Sequence, residues 1–201
     1  MRSNQSIQRF GTGARFVLAL LLFGLLPSLA NANGSTHLTK AEALELAFPK
    51  CELERGTVYL TKEQLKRGAR LAGFDLEVGI VHPYIARRDG KLVGTAWFDV
   101  HRVRSKKEVL MIVVTPEHRI GRIEVLAFAE PDEYLPRASW YSQFPGRRLD
   151  KDLELGRAIK GITGATLSAR ATTRAARRVL ALHEVVYPLP DPAPEHGAVS
   201  R

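Results

Sequence analysis

Apolar and polar positions follow a succession of four rhythmic stretches along the chain. The first is a near-continuous apolar run from Phe16 to Leu26, preceded by Arg2, Arg9 and Arg15 and followed by Pro27 and Ala30-Asn31-Ala32. A basic start, a short apolar stretch and a small-x-small end are the order of a cleaved secretory signal, here residues 1–32. Its eleven apolar positions fall short of the roughly 20 that a membrane anchor needs. Residues 33–73 carry a helical rhythm. Thr39-x-x-Glu42 and Thr61-x-x-Gln64 are capping boxes, in which hydroxyl and carboxylate or amide satisfy end-of-helix N–H groups. Behind the first, Leu44, Ala47 and Phe48 form an apolar stripe that Pro49 ends; behind the second, Leu65, Ala69 and Ala72 recur up to Gly73.

From Gly73 to Glu130 the period shortens to that of strands. Val78–Val81, Tyr84–Ala86, Leu92–Phe98, Val109–Val114 and Ile120–Phe128 are β-rich runs separated by turns. Asp89-Gly90 between two of them is a hairpin signal. The links are too short for parallel crossovers, so the strands pair antiparallel. One link carries Arg102, Arg104, Lys106 and Lys107 and reads as a solvated turn. Between Pro131 and Leu155 no rhythm holds. Trp140, Tyr141 and Phe144 lie there among prolines, either as cover for the open face of the sheet or as part of a functional loop. The last rhythm is helical again: Leu167, Ala171, Ala175, Val179, Leu182 and Val186 step by three or four, which predicts a helix from about Thr166 to about Val185.

Together these predict an α+β fold, a mainly antiparallel twisted sheet flanked by helices. Residues 33–73 form a helical segment, 74–187 the main domain and 188–201 a Pro-rich tail, disordered or docking in extended form. The length of 201 residues suits one domain at roughly 100–200 residues each. One cysteine, Cys51, and no CxxC or Cys/His cluster exclude a disulfide framework and zinc, haem or iron–sulfur ligation by cysteine. His82, His101, His118 and His183 are scattered singly, so no Ser/His/Asp or Cys/His arrangement is legible, and no GxGxxG follows a strand. The formal charge of +9 first suggests nucleic acid. Removing the signal leaves +6, matched by Arg157, Lys160, Arg170, Arg174, Arg177 and Arg178 in a stretch without acidic residues. Export disfavours nucleic acid, and the field suits an anionic cofactor or acidic partner instead.

That stretch begins with Ile159-Lys160-Gly161-Ile162-Thr163-Gly164-Ala165-Thr166-Leu167-Ser168. Gly161 and Gly164 permit unusual backbone, Gly164 and Ala165 lack bulk, and Thr163, Thr166 and Ser168 supply hydroxyls. At a helix start this is an anion site or, equally, a capped helix behind a tight turn.

Thr163-Gly164-Ala165-Thr166-Leu167-Ser168 resembles the Ser/Thr-Gly-Ala-Thr-x-Ser/Thr motif of the FMN-binding domain family, which includes flavinylated subunits of the sodium-pumping NADH:quinone oxidoreductase and of the Rnf complex. The helix ending in Phe48-Pro49, the Asp89–Gly94 hairpin, Glu130-Pro131 and Gln143-Phe144-x-Gly146 extend the similarity to small exported members over residues 38–186. The resemblance implies FMN joined to the Thr166 hydroxyl by a flavin transferase of the ApbE type, with FAD as donor. It implies Gly164, Ala165 and Leu167 beside the cofactor, Thr163 and Ser168 as hydrogen-bonding neighbours and Glu130 as an acidic residue close to the flavin. Lys160 stands where the family's covalent motif has aspartate; a lysine there can pair with a phosphate, which suits tight noncovalent FMN as the alternative to attachment. The expected activity is electron transfer in the periplasm, between membrane-bound or haem partners, with or without membrane association. The alternative is a module that assists or senses a respiratory complex without turnover.

Overall fold

In the computed structural model the described residues are 35–189, all within one compact unit. The signal expected over 1–32 and most of the Pro-rich tail lie outside them. The fold is α+β. Its elements are β1 (Ser35–Thr36), α1 (Lys40–Ala47), β2 (Glu52–Arg55), β3 (Val58–Tyr59), α2 (Lys62–Ala72), β4 (Ile80–Val81), β5 (Tyr84–Arg88), β6 (Lys91–Arg102), β7 (Lys107–Val114), β8 (Ile120–Phe128), α3 (Ala138–Tyr141) and α4 (Thr166–Val186). The main sheet has the order β1-β8-β7-β6-β5-β2, and every pair in it is antiparallel. β3 and β4 form a separate antiparallel pair. No helix of the described residues is long and apolar enough to cross a membrane.

Both predicted capping boxes form. Thr39 accepts from the Glu42 N–H and Glu42 reaches back to the Thr39 N–H at 2.8 Å; Thr61 and Gln64 do the same, and α2 stops at Gly73 in the left-handed conformation. Asp89 and Gly90 both take positive φ, 51° and 73°, the backbone that matches a two-residue hairpin to strand twist.

The apolar run of β7 is buried on both faces because the sheet is covered on both. Leu110, Ile112 and Val114 point to one layer with α2, α4 and the 131–159 connection, where Trp140, Tyr141 and Phe144 are buried. Met111 and Val113 point to the other, with Phe48 and Leu44 of α1. The three aromatics therefore serve as cover for the sheet.

Residues 33–73 are more than a helical segment, since β1 and β2 pair with β8 and β5 of the main domain. Periodicity missed β2 because Glu52-Leu53-Glu54-Arg55 is an edge strand exposed along its length, with no apolar face to alternate.

β6 passes close under α1 at Gly94, where an added Cβ would lie 2.9 Å from the Val114 carbonyl oxygen and 3.3 Å from the Phe48 ring. Because one neighbour is backbone, relief requires strand movement. Gly94→Ala is expected to destabilise the fold by about 1–3 kcal/mol, the usual cost of overpacking, measured by urea unfolding; unchanged stability would show that the strands separate freely there.

Candidate functional site

The loop into α4 is held by the connection before it. Trp140 Nε1 donates to the Lys160 carbonyl at 2.7 Å, and the Lys160 N–H donates to Gln143 Oε1 at 2.8 Å. Beyond this clamp the chain turns through Gly164 at φ 86° and enters a helix of 21 residues. Gly164 is needed for that backbone sign and not for closeness, since a Cβ there would meet nothing within 4 Å. α1 and α2 begin with side-chain caps, whereas the first residue before α4 is Ala165 and no side chain caps it. The capped-helix alternative is thereby removed, and the helix start keeps N–H groups without a side-chain acceptor.

Those amides border a pocket of about 180 Å³. Gly164, Ala165, Thr166, Leu167 and Ser168 line it together with Val103, Arg104, Glu130 and Tyr134. Three segments distant in sequence thus meet: the β6–β7 hairpin, the end of β8 with its short helical turn, and the α4 entry. The Thr166 side chain is exposed, and its hydroxyl makes only a long contact, 3.4 Å, to the Ile162 carbonyl. Ser168 is fully buried and donates to the Tyr134 carbonyl at 2.5 Å, so its hydroxyl joins α4 to the β8 exit. Leu167 leaves the apolar stripe predicted for it and is 46% exposed at the pocket. The buried face of α4 instead runs through Ser168, Thr172, Ala175, Ala176 and Val179.

Glu130 lies in the pocket wall, but its carboxylate is already engaged. Oε1 accepts the N–H groups of Lys106 at 2.7 Å, Ser105 at 2.6 Å and Arg104 at 3.2 Å. These bonds, Lys106 first, hold its carboxyl below the ordinary range. The hairpin read as a solvated turn is therefore tied down at its tip, and Arg104 is delivered to the pocket by a backbone fixed through Glu130. Thr163 and Lys160 are exposed and do not line the pocket; Lys160 contributes through its backbone. Of the expected constellation, the structure brings together Glu130 and residues 164–168, adds Arg104, Val103 and Tyr134, and leaves Thr163 and Lys160 at the entry loop.

Behind α4 lies a chain of charges that periodicity could not show. Arg178 grips Asp99 with Nε at 2.7 Å and Nη2 at 2.8 Å; His101 Nδ1 lies 2.8 Å from Asp99, and its Nε2 lies 2.8 Å from Glu108, which is fully buried. Burial opposes charge on Asp99, yet the bonds from His101 and Arg178 outweigh it and hold its carboxyl at about 2. Burial likewise opposes a charged His101, but Asp99 and Glu108 raise it to about 9. The chain alternates positive and negative only while His101 keeps its proton. The histidines that looked isolated all have partners: His82 bonds Thr57, and His118 bonds Glu184 and stacks edge-on to His183. His183 is pushed down to about 3 by burial and the nearby His118, so it stays neutral while bonded to Thr95. Among the described residues no group of three or more His, Cys, Asp or Glu could hold a metal ion.

No protein-family model matches the chain, and no curated protein matches it.

Glu130→Gln removes a charged acceptor from three amides, and exchange of the Arg104–Lys106 N–H groups is expected to quicken about ten-fold or more in hydrogen-exchange mass spectrometry. Because the carboxyl is lowered in the fold, the same loosening appears in the unmodified protein as pH falls through the carboxylate range. His101 works in the other direction: its stabilisation is complete below pH 6.5 and is lost as pH rises through about 9. Thermal stability is thus expected to decline as pH rises from neutrality towards and beyond 9. His101→Phe, which strands buried Glu108, is expected to cost about 3–5 kcal/mol at neutral pH in urea unfolding.

Proposed function

We propose that the chain is an exported flavoprotein that carries FMN on Thr166 Oγ1 and passes electrons between membrane-bound or haem redox partners. The observation that carries this reading is one pocket that holds an exposed threonine hydroxyl, the uncapped start of a long helix and Arg104. The resemblance of residues 163–168 to a flavinylation motif supplies the identity of the cofactor.

The residues fit the phosphate end of FMN. A space of about 180 Å³ lies below the ~300–1,000 Å³ of sites that enclose a whole small molecule. It therefore has room for the phosphate and not for the complete cofactor, and a cofactor held by one end remains accessible to a partner. The phosphodiester on Thr166 keeps one negative charge, which the α4 start and Arg104 offset. Glu130 does not oppose it with free acceptors on its tethered oxygen, since that oxygen is spent on the hairpin. FMN supplies the exchange of one or two electrons, and the chain supplies attachment, charge and orientation. In the attachment step the Thr166 oxygen forms the new P–O bond, the P–O–P bond of FAD breaks, AMP leaves and the hydroxyl proton passes to the transferase. An unreactive, exposed hydroxyl with Gly164 and Ala165 beside it suits such a permanent link and gives an enzyme access. The proposed location is the periplasm.

The test is production of the full chain with an ApbE-type transferase, digestion, and mass measurement of the peptide containing Thr166. An FMN-sized addition is expected there, lost in Thr166→Val and kept in Thr163→Val, because Thr163 lies outside the pocket lining. Arg104→Gln is expected to lower the modified fraction several-fold. The intact protein should show a flavin spectrum that bleaches with dithionite and recovers on mixing with an oxidised c-type cytochrome. Yellow protein with an unmodified peptide would replace covalent with noncovalent binding; a colourless protein would overturn the reading.

A further inference from the structure

The described residues enclose a second and larger pocket, about 620 Å³, within the ~300–1,000 Å³ of small-molecule sites. It shares no lining residue with the pocket at Thr166.

Its polar wall is built around Arg174 and Arg178, one turn apart on α4. Like charges at that spacing repel, so their pairing is not a device for helix stability. Arg178 spends Nε and Nη2 on Asp99, and among the described residues no partner takes Nη1. Asp99 is in turn fixed by His101 and His101 by Glu108. A buried ion chain of this kind is weak support for stability, since apolar residues of like volume often do as well. What it does provide is a guanidinium locked in one orientation with one nitrogen left over.

Other cations on the lining are also oriented and without a carboxylate. The Arg174 guanidinium sits 3.7 Å from the centre of the Phe74 ring and Lys40 Nζ 4.6 Å from that of Phe98. Neither these nor Arg55 is ion-paired among the described residues. Asp75 and Glu77 face them from the α2–β4 link and Asp99 from β6, so Lys40, Arg55, Arg174, Arg178 and protonated His101 leave the lining net positive. Apart from His82 and Tyr84 the remaining lining is apolar: Trp97, Val81, Val179 and Leu182 are buried, while Ile80 and Val100 stand 47% and 58% exposed.

We propose that this pocket is a separate binding site for an amphipathic organic anion. The carboxylate, sulfonate or phosphate head meets Arg174 and Nη1 of Arg178, and the apolar body lies on Trp97, Val179 and Leu182. The Asp99–His101–Glu108 chain positions Arg178 for that contact. The inference stands whether or not Thr166 carries a flavin.

The test uses the full chain made without transferase, titrated with 8-anilinonaphthalene-1-sulfonate and with its uncharged relative N-phenyl-1-naphthylamine. Fluorescence should report one sulfonate bound per chain, at least ten-fold tighter than the neutral dye, with near-UV circular dichroism unchanged. Excess decanoate should displace it. Arg174→Gln is expected to weaken the sulfonate about ten-fold and leave the neutral dye unaffected; Arg178→Lys, which keeps the charge and loses the fork, should weaken it several-fold. Thr166→Val should change neither dye. Equal affinity for both dyes, unaltered sulfonate binding in Arg174→Gln, or a response to Thr166→Val would each overturn the proposal.

Discussion

The packing of α4 across one face of the central sheet is the constraint on which the other features hang. Ala169, Ala175, Ala176, Val179 and Leu180 of the helix are buried against Leu110, Ile112 and Val114 of β7 and the aromatics of the 131–159 connection. Small residues on this face let a helix of 21 residues lie close to the strands, as dense interiors require. Once it lies there, its start emerges beside the β6–β7 hairpin and its flank beside β6. The pocket at Thr166 belongs to that start, and the larger pocket belongs to that flank.

The same packing divides the arginines of α4 among unlike roles. Arg177 donates to the carbonyls of Ala72, Asp150 and Leu153, closing the end of α2 and the long connection. Arg178 is committed to Asp99. Arg170 and Arg174 remain exposed. The positive field inferred from a run without acidic residues is therefore smaller than its formal count, because Asp99 offsets Arg178, while Arg177 keeps its charge and turns it to carbonyls inside the fold. At the larger pocket the run contributes Arg174 and one edge of Arg178; the cation at the other pocket, Arg104, comes from the β6–β7 hairpin instead.

Glu130 shows how a residue picked out for chemistry can act through another. Three amides of the hairpin converge on one of its oxygens, an arrangement that would otherwise receive an anion. Filling it with a side chain fixes the loop and leaves Arg104 and the uncapped amides of α4 at the pocket, where the proposed function places the phosphate. Trp140 and Gln143 play the corresponding part at the entry loop by holding Lys160 through its backbone. Both supports are long-range pairs joined by the fold.

Local chemistry was enough to determine much of this protein. Capping boxes at Thr39 and Thr61 and the Asp89-Gly90 turn rest on contacts within a few residues, the strands β5 to β8 and the extent of α4 on short-period alternation of apolar side chains, and each was legible as pattern. So was the Gly164-Ala165-Thr166 entry to α4. Tertiary structure alone decided what those segments face. The edge strand Glu52–Arg55 has no apolar alternation to announce it, and the outward turn of Leu167 depends on where α4 meets the sheet. Arg104 lines one pocket with Thr166, and Arg178 joins the Asp99–His101–Glu108 chain, because β6, β7 and α4 bring residues far apart in sequence side by side. Sequence carries periodicity and turn preference at short range; which charges neutralise one another, and which are left for a ligand, is fixed only when distant segments share the same low-dielectric interior.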